Sequence, residues 1–323
     1  MSIIEKAVER LEQLQRANAG QAEPEAEKPA GAEPAPAPVA SAFAAEPVKP
    51  APEVAATPAP AAAPAPAVAP KPAARAGGVG ETVEIDLDRL NSIGVVTPNA
   101  PRSLIGDEFR IIKRPLLRNV QGKGAAAIEN ANLIMITSSL PGEGKSFSSI
   151  NLAISIAMEL DHTVLLIDAD VSRPSVLNIL GLPPRKGLMD VLTNPDIQLG
   201  DVLLKTNIEK LRLLPAGTPH PRATELLASD AMNNLLDELA VRYSDRIIVF
   251  DSPPLLVTTE SRVLATHMGQ IVMVVEAEKT SQEAVREALS HIQSCEVVGM
   301  LLNKTTPTPG ADYYYGYYGS YGK

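Results

Sequence analysis

The sequence has no tryptophan, four histidines and a single cysteine in 323 residues. One cysteine, Cys295, excludes a disulfide framework and any metal or iron–sulfur site built from several thiolates; it reads as a small buried filler. His162, His220, His267 and His291 lack ligand spacing and read as surface or packing residues. Basic residues are also the minority, 29 Lys and Arg against 38 Asp and Glu, and the resulting charge of −9 argues against a nucleic-acid surface. No apolar run approaches the ~18–20 residues that cross a bilayer, and the acidic start does not resemble a secretion signal. The expectation is a cytoplasmic chain whose recruitment to a membrane requires a partner.

Proline is abundant but unevenly placed. Fourteen of the 29 prolines fall between Pro24 and Pro72, in a tract otherwise dominated by alanine. Such a tract has no spaced apolar residues for a core and its prolines forbid regular helix, so residues 20–80 are expected to be a disordered, semi-extended spacer. Before it, Ile3, Ile4, Val8, Leu11 and Leu14 recur at three- and four-residue spacing, predicting an amphipathic helix within residues 1–19. A lone helix of that length gains little by folding alone, so it is read as docking on a partner or pairing with itself.

Residues 81–307 carry the pattern of one substantial domain. Residues 81–101 suggest a short strand or loop, and residues 107–120 a basic amphipathic helix interrupted at Pro115. Apolar runs then alternate with helical stretches. Strands are predicted at 133–136, 164–167, 211–214, 247–250, 271–275 and 297–302, and helices at 146–160, 223–243 and 281–293; Tyr243 falls in such a stretch and reads as structural. Short continuous apolar strands separated by helices predict an α/β fold, a mostly parallel sheet with helices on both faces.

Three segments carry chemistry. Ser138-Ser139-Leu140-Pro141-Gly142-Glu143-Gly144-Lys145-Ser146 follows the first apolar strand and opens a helix, the context a phosphate-binding loop requires. Gly142 and Gly144 let backbone N–H groups curl around phosphate oxygens, with Glu143 between them and Phe147 just beyond. Lys145 is suited to the β- and γ-phosphates and the Ser146 hydroxyl to Mg²⁺. The usual leading glycine is Ser139, so the strict pattern fails at one position. The second segment sets Asp168 and Asp170 just past a buried strand, followed by Arg173. One carboxylate of such a pair can hold Mg²⁺ through water while the other lies near an attacking hydroxyl; capping of the following helix or turn is the bland alternative. The third, Ile247–Phe250 ending in Asp251, has the form of a strand whose terminal carboxylate orders Mg²⁺.

The last eleven residues hold six of the seven tyrosines: Tyr313, Tyr314, Tyr315, Tyr317, Tyr318 and Tyr321. Interleaved with Gly316, Gly319, Ser320 and Gly322, they cannot form a core, and residues 308–323 are expected to be a flexible tail of accessible phenols. Taken without the nucleotide loop, such a tail reads equally as a sticky low-complexity segment. With the loop, it suggests a chain that phosphorylates its own kind.

From about Ile105 to the C-terminus the sequence resembles the bacterial tyrosine kinases of exopolysaccharide synthesis, relatives in fold of the ParA/MinD-type P-loop ATPases. The three segments resemble that family's Walker A, A′ and B motifs, the tyrosine cluster its autophosphorylated tail, and Gly187–Leu192 and Leu214–Gly217 are further points of likeness. The helix and Ala/Pro spacer resemble a soluble, exosortase-associated subgroup. The resemblance implies ATP and Mg²⁺ as cofactors, with Lys145, Asp168, Asp170 and Asp251 catalytic and Ser146, Asp168 and Asp251 at the metal. It further implies nucleotide contacts from residues 142–147, Arg173 and Asn303, the last where related ATPases meet adenine. Asp107, Arg110 and Lys113 are the best fit to the family's oligomerisation pattern, with lysine in place of a forked arginine. Implied partners are further copies in a ring phosphorylating one another, a transmembrane chain-length-determinant activator and a tyrosine phosphatase. The competing reading is a MinD/ParA-like positioning ATPase; Leu140, where that group carries an additional lysine, and the tyrosine tail count against it.

Overall fold

The computed structural model describes residues 81–124, 127–242 and 246–306. The N-terminal segment, the Ala/Pro spacer, Tyr243 and the tyrosine tail lie outside them.

In chain order the strands are β1 (Thr82–Val83), β2 (Leu133–Ser138), β3 (Thr163–Asp168), β4 (Leu204–Thr206), β5 (Leu211–Leu214), β6 (Arg246–Asp251), β7 (Gln270–Glu276) and β8 (Val298–Asn303). The helices are α1 (Leu87–Ser92), α2 (Leu104–Val120), α3 (Lys145–Ala157), α4 (Val176–Leu180), α5 (Leu188–Thr193), α6 (Leu199–Val202), α7 (Ala223–Leu227), α8 (Asp230–Arg242), α9 (Glu260–Ala265) and α10 (Gln282–Ser290). The strands form one sheet in the order β1-β4-β5-β3-β6-β2-β7-β8, parallel except between β4 and β5.

Every residue of β2 is buried, as are Val164–Asp168 of β3 and Ile247–Asp251 of β6. Their side chains alternate between two cores. Met135, Leu165, Ile248 and Phe250 meet α5 to α10 on one face, while Ile134, Ile136, Val164 and Val249 meet α1 to α4 on the other. Burial on both faces is why these strands read as continuous apolar runs rather than alternating ones. The expected α/β layering is present, and among the described residues no helix is long and apolar enough to cross a membrane.

Several boundaries differ from the sequence reading. Helix α2 starts at Leu104, where the Ser103 hydroxyl accepts from the Gly106 N–H, and runs through Pro115. Pro115 lies with Ile111 on the exposed face, so the carbonyl that loses its helical partner is on the side where water can replace it. The stretch 223–243 divides into α7 and α8 around Ala228 and Ser229, whose hydroxyl donates to the Leu226 carbonyl. Residues 81–101 contain α1, started by the Asp86 carboxylate accepting from the Arg89 N–H.

Candidate active site

The loop between β2 and α3 meets the C-terminal ends of the central strands, where parallel sheets gather ligands. Gly142 and Gly144 take φ values of +87° and +100°. The φ of Gly144 favours glycine, and an added Cβ would also lie 2.0 Å from Asn303 Nδ2 and displace that side chain. Helix α3 then begins at Lys145, directing its N-terminal amides toward the loop.

Glu143 is only 2% exposed because it braces the loop from inside. One of its carboxylate oxygens accepts from the Leu140 N–H at 2.7 Å and the other from the Thr280 hydroxyl. Two residues at the end of β8 hold the loop from the other side. Asn303 Nδ2 donates to the Glu143 carbonyl (2.8 Å) and Lys304 Nζ to the Gly142 carbonyl (2.7 Å). Asn303, expected near adenine, thus stands against the loop itself. Phe147 is half-buried against the α1–α4 core, and Arg173 is exposed at the rim.

Register brings the carboxylates together, with Asp168 opposite Asp251 on adjacent strands. Asp168 Oδ2 accepts from the Ser175 and Val176 N–H groups, both at 3.1 Å, so it does cap the turn into α4. Its Oδ1 has no hydrogen-bond partner. Asp251 Oδ1 accepts from the Ser149 hydroxyl (3.1 Å) and its Oδ2 is likewise without a partner. Asp170 has a different task. Its Oδ2 forms an ion pair with Lys145 Nζ at 2.6 Å, and its Oδ1 accepts from the Arg173 N–H. The sequence set Asp168 and Asp170 side by side without distinguishing them; the structure separates them by contact.

Three buried carboxylates face one lysine. Burial, reinforced by the charges of Asp251 and Asp170, pushes Asp168 up to about 8 against the opposing Val176 N–H and Lys145. Burial likewise raises Asp251 to about 6. Two buried carboxylate oxygens without donors, in an acidic site beside the Ser146 hydroxyl, fit a divalent cation. Among the described residues no three His, Cys, Asp or Glu side chains converge on one point. Mg²⁺ is commonly held by one or two carboxylates, with phosphate oxygens and several waters completing its shell.

Besides the loop braces Thr280 and Lys304, two contributors to the carboxylate cluster were missed in the sequence. Ser149, one helical turn after Lys145, faces Asp251, and its i+4 spacing from Lys145 is the signal that could have found it. Ser175, whose hydroxyl donates to Ser146 Oγ at 2.8 Å, had no such signal.

The proposed subunit contact divides. Asp107 and Arg110 pair on the exposed side of α2, with Arg102 also bonded to Asp107. Lys113 is turned inward, 4% exposed, with Nζ 2.5 Å from both Glu159 and the Ser155 carbonyl. It ties α2 to α3 within the domain and does not share the face of the other two. Cys295 is buried, and burial pushes its thiol up, as a packing residue requires.

Residues 131–303 match the family model described as an AAA domain. CapB of Staphylococcus aureus is 31% identical over 221 residues, 68% of this chain and 92% of CapB. The tyrosine-protein kinase YwqD of Bacillus subtilis is 30% identical over 228 residues, 70% of this chain and 91% of YwqD. Among solved structures, the chimerical protein CapA2B2 superposes with a TM-score of 0.58 at 27% identity, covering 70% of this chain and 94% of the chimera. The VpsO kinase domain gives 0.55 at 32% identity, covering 63% and 96%. With its braced glycine loop and facing aspartates, the chain belongs to the bacterial tyrosine kinase family.

Proposed function

We propose that this chain is an ATP-dependent protein-tyrosine autokinase that phosphorylates its C-terminal tyrosine cluster between subunits. The observation that carries the reading is the buried cluster of Asp168, Asp170 and Asp251 facing Lys145 at the glycine loop, in a chain ending in six phenols. In the transfer, the bond from the γ-phosphorus to the β,γ-bridging oxygen breaks, a bond to the phenol oxygen forms, and ADP departs. The phenol is protonated near neutrality, its pKa being about 10, so a carboxylate must take its proton. Asp168, with one oxygen uncommitted, fits that task once a bound cation offsets the neighbouring negative charge that, with burial, keeps it protonated in the nucleotide-free site.

Lys145 exchanges Asp170 for phosphate oxygens, and the amides of residues 142–147 cradle them, with Arg173 at the rim and Asn303 toward the base. Ser146, Asp251 and, through water, Asp168 would hold Mg²⁺, which when bound neutralises charge on the transferring group. Subunits meet through the Asp107–Arg110 face, beside a hollow of about 460 Å³ bordered by Ile105 and Met158. The wider setting belongs to the same reading: a cytoplasmic enzyme drawn to the inner membrane face by a transmembrane chain-length-determinant protein. There it cycles an exopolysaccharide polymerisation and export complex, reset by a tyrosine phosphatase. Residues 81–307 are the kinase domain, with residues 1–80 an adaptor and spacer.

Mass spectrometry of the intact protein and its C-terminal peptides, wild type against Lys145→Met, tests the reading. Phosphates on tail tyrosines in wild type and none in the variant are expected. A bare wild-type tail, with the activator co-expressed and ATP still hydrolysed, would overturn it in favour of a positioning ATPase.

A further inference from the structure

At the end of the sheet opposite the nucleotide site, four neighbouring strands present a row of polar and basic side chains. β4, β5, β3 and β6 adjoin in that order. Lys205, Arg212, Thr163 and Arg246 stand along them next to Leu204, Leu211, Val164 and Ile247, which pack into the α1–α4 core. Successive side chains alternate, so the four take the other face. Register sets Lys205 directly opposite Arg212 and Thr163 opposite Arg246. Thr163 begins the strand that Asp168 ends, which puts about 17 Å of β3 between this row and the carboxylates.

The four residues line a cavity of about 270 Å³. Lys210 completes its basic wall and is held in place, its Nζ donating to the Glu159 and Leu160 carbonyls, both at 3.0 Å. Among the described residues no acidic side chain lines the cavity.

We infer that this cavity is a second anion site, separate from the nucleotide loop, and that it takes a phosphate monoester.

Three observations support it. The first is uncompensated charge. Like charges directly opposite on adjacent strands destabilise a sheet. Lys205 and Arg212 stand in that relation, both half-buried, and among the described residues neither forms an ion pair or a side-chain hydrogen bond. An anion seated between them replaces repulsion with attraction.

The second is an unpaired donor. Thr163 Oγ1 is buried and has no hydrogen-bond partner. Leaving a buried hydroxyl unpaired costs free energy, and a ligand oxygen in the cavity would accept from it.

The third is the match of charge and shape. Arg212 and Arg246 bring planar forks that suit phosphate oxygens, and Lys205 adds a point charge. A phosphate monoester carries about −1.5 to −2 near neutrality on three acceptor oxygens, whereas a carboxylate offers one charge and two oxygens. Three cations and a hydroxyl answer the former. The volume lies below the roughly 300 Å³ at which pockets for drug-sized ligands begin, so the group carrying the phosphate is small, about one ring in size.

Two sources supply that chemistry: a phosphotyrosine of a tail, and a free phosphorylated metabolite. The first source rests on the kinase reading; the site itself does not.

The test uses the full chain with its six tail tyrosines changed to phenylalanine, saturated with ADP and Mg²⁺ so that the glycine loop is occupied. Phenyl phosphate is titrated by calorimetry in phosphate-free buffer. Fluorescein-labelled peptides of residues 308–323, each phosphorylated at one tyrosine, are titrated by polarisation. A peptide that binds more tightly than phenyl phosphate assigns the site to the tail; phenyl phosphate binding as tightly or more so assigns it to a free ester. The double substitution Lys205→Gln with Arg212→Gln should weaken either ligand by about tenfold or more, with ADP affinity within error. Its ligand-free Tm should be no lower than that of the parent, because the repulsion is gone. Thr163→Val should weaken binding several-fold and serves if the double variant does not fold. No binding of any phosphate monoester, equal affinity in parent and variants, or a lower ligand-free Tm marking the row as structural would each overturn the site. The peptides are synthetic, so binding is read whether or not the chain transfers phosphate, and failure of the kinase reading leaves the site standing.

Discussion

At the scale of single residues, the active site has a large stake in one buried carboxylate. Asp168 is raised to about 8 by burial and by Asp251 and Asp170, from an unfolded value of about 4. Between those values the folded, nucleotide-free state binds more protons than the unfolded state, so folding stability must fall as pH rises. Above about 8 this contribution to the slope ends. We expect the Tm of the nucleotide-free protein to drop between pH values of about 5 and 8, and Asp168→Asn to flatten that drop; a wild-type Tm that climbs over the range would contradict the account. Nucleotide with Mg²⁺ should flatten it too, because a cation offsets the charge that burial penalises.

Helices and strands show where sequence reasoning succeeds and where it stops. The loop, its three aspartates and all six expected strands were legible: β2, β3, β6 and β7 are buried on both faces and announce themselves as apolar runs, and the edge strand β8 is as apolar in sequence although Met300 and Leu302 are exposed. Strands β1 and β4, two and three residues long, have too little pattern to announce anything. The start of α2 was missed by three residues because its cap lies in a serine hydroxyl rather than in the apolar repeat.

Lys113 is the instructive failure at this scale. Its spacing from Asp107 and Arg110 follows the repeat, but the i, i+3, i+6 positions turn steadily around a helix, and the last of them reaches the α3 side. The two ends of the pattern should therefore respond differently to substitution. Lys113→Met should lower stability by about 1–3 kcal/mol by leaving the Ser155 carbonyl unpaired, with the half-exposed Glu159 adding little. It should leave subunit association intact. Arg110→Glu should do the reverse, and unfolding curves with analytical ultracentrifugation on both variants would separate the roles.

On the scale of the whole molecule, charge is the governing quantity. The chain already bears −9, and each phosphotyrosine adds about −1.5 to −2 at neutral pH. Six would place on the order of −10 on eleven residues, so tails brought together in an assembly would repel one another. Sizing at fixed, low salt before and after full phosphorylation should show a smaller species afterwards; an unchanged mass would sink the idea. The sequence made this charge visible, but not the cavity at the C-terminal ends of β3 and β5, which needs Asp168, Arg185 and Pro215 brought together from segments far apart in the chain.

The clasp that Asn303 and Lys304 place on the glycine loop has a consequence for which tail is used. It fixes the root of the tail at the nucleotide site of its own chain. From Lys304, nine residues reach Tyr313 and seventeen reach Tyr321, spans of at most about 30 and 60 Å. A chain's own phenols are thus confined near its own active site, at an effective concentration in the millimolar range. Freely diffusing copies at micromolar concentration could not compete with that. If transfer runs between subunits as proposed, it requires copies already docked, so that a neighbour's tail is as local as the chain's own. Assembly is then a precondition of the reaction and not merely its setting.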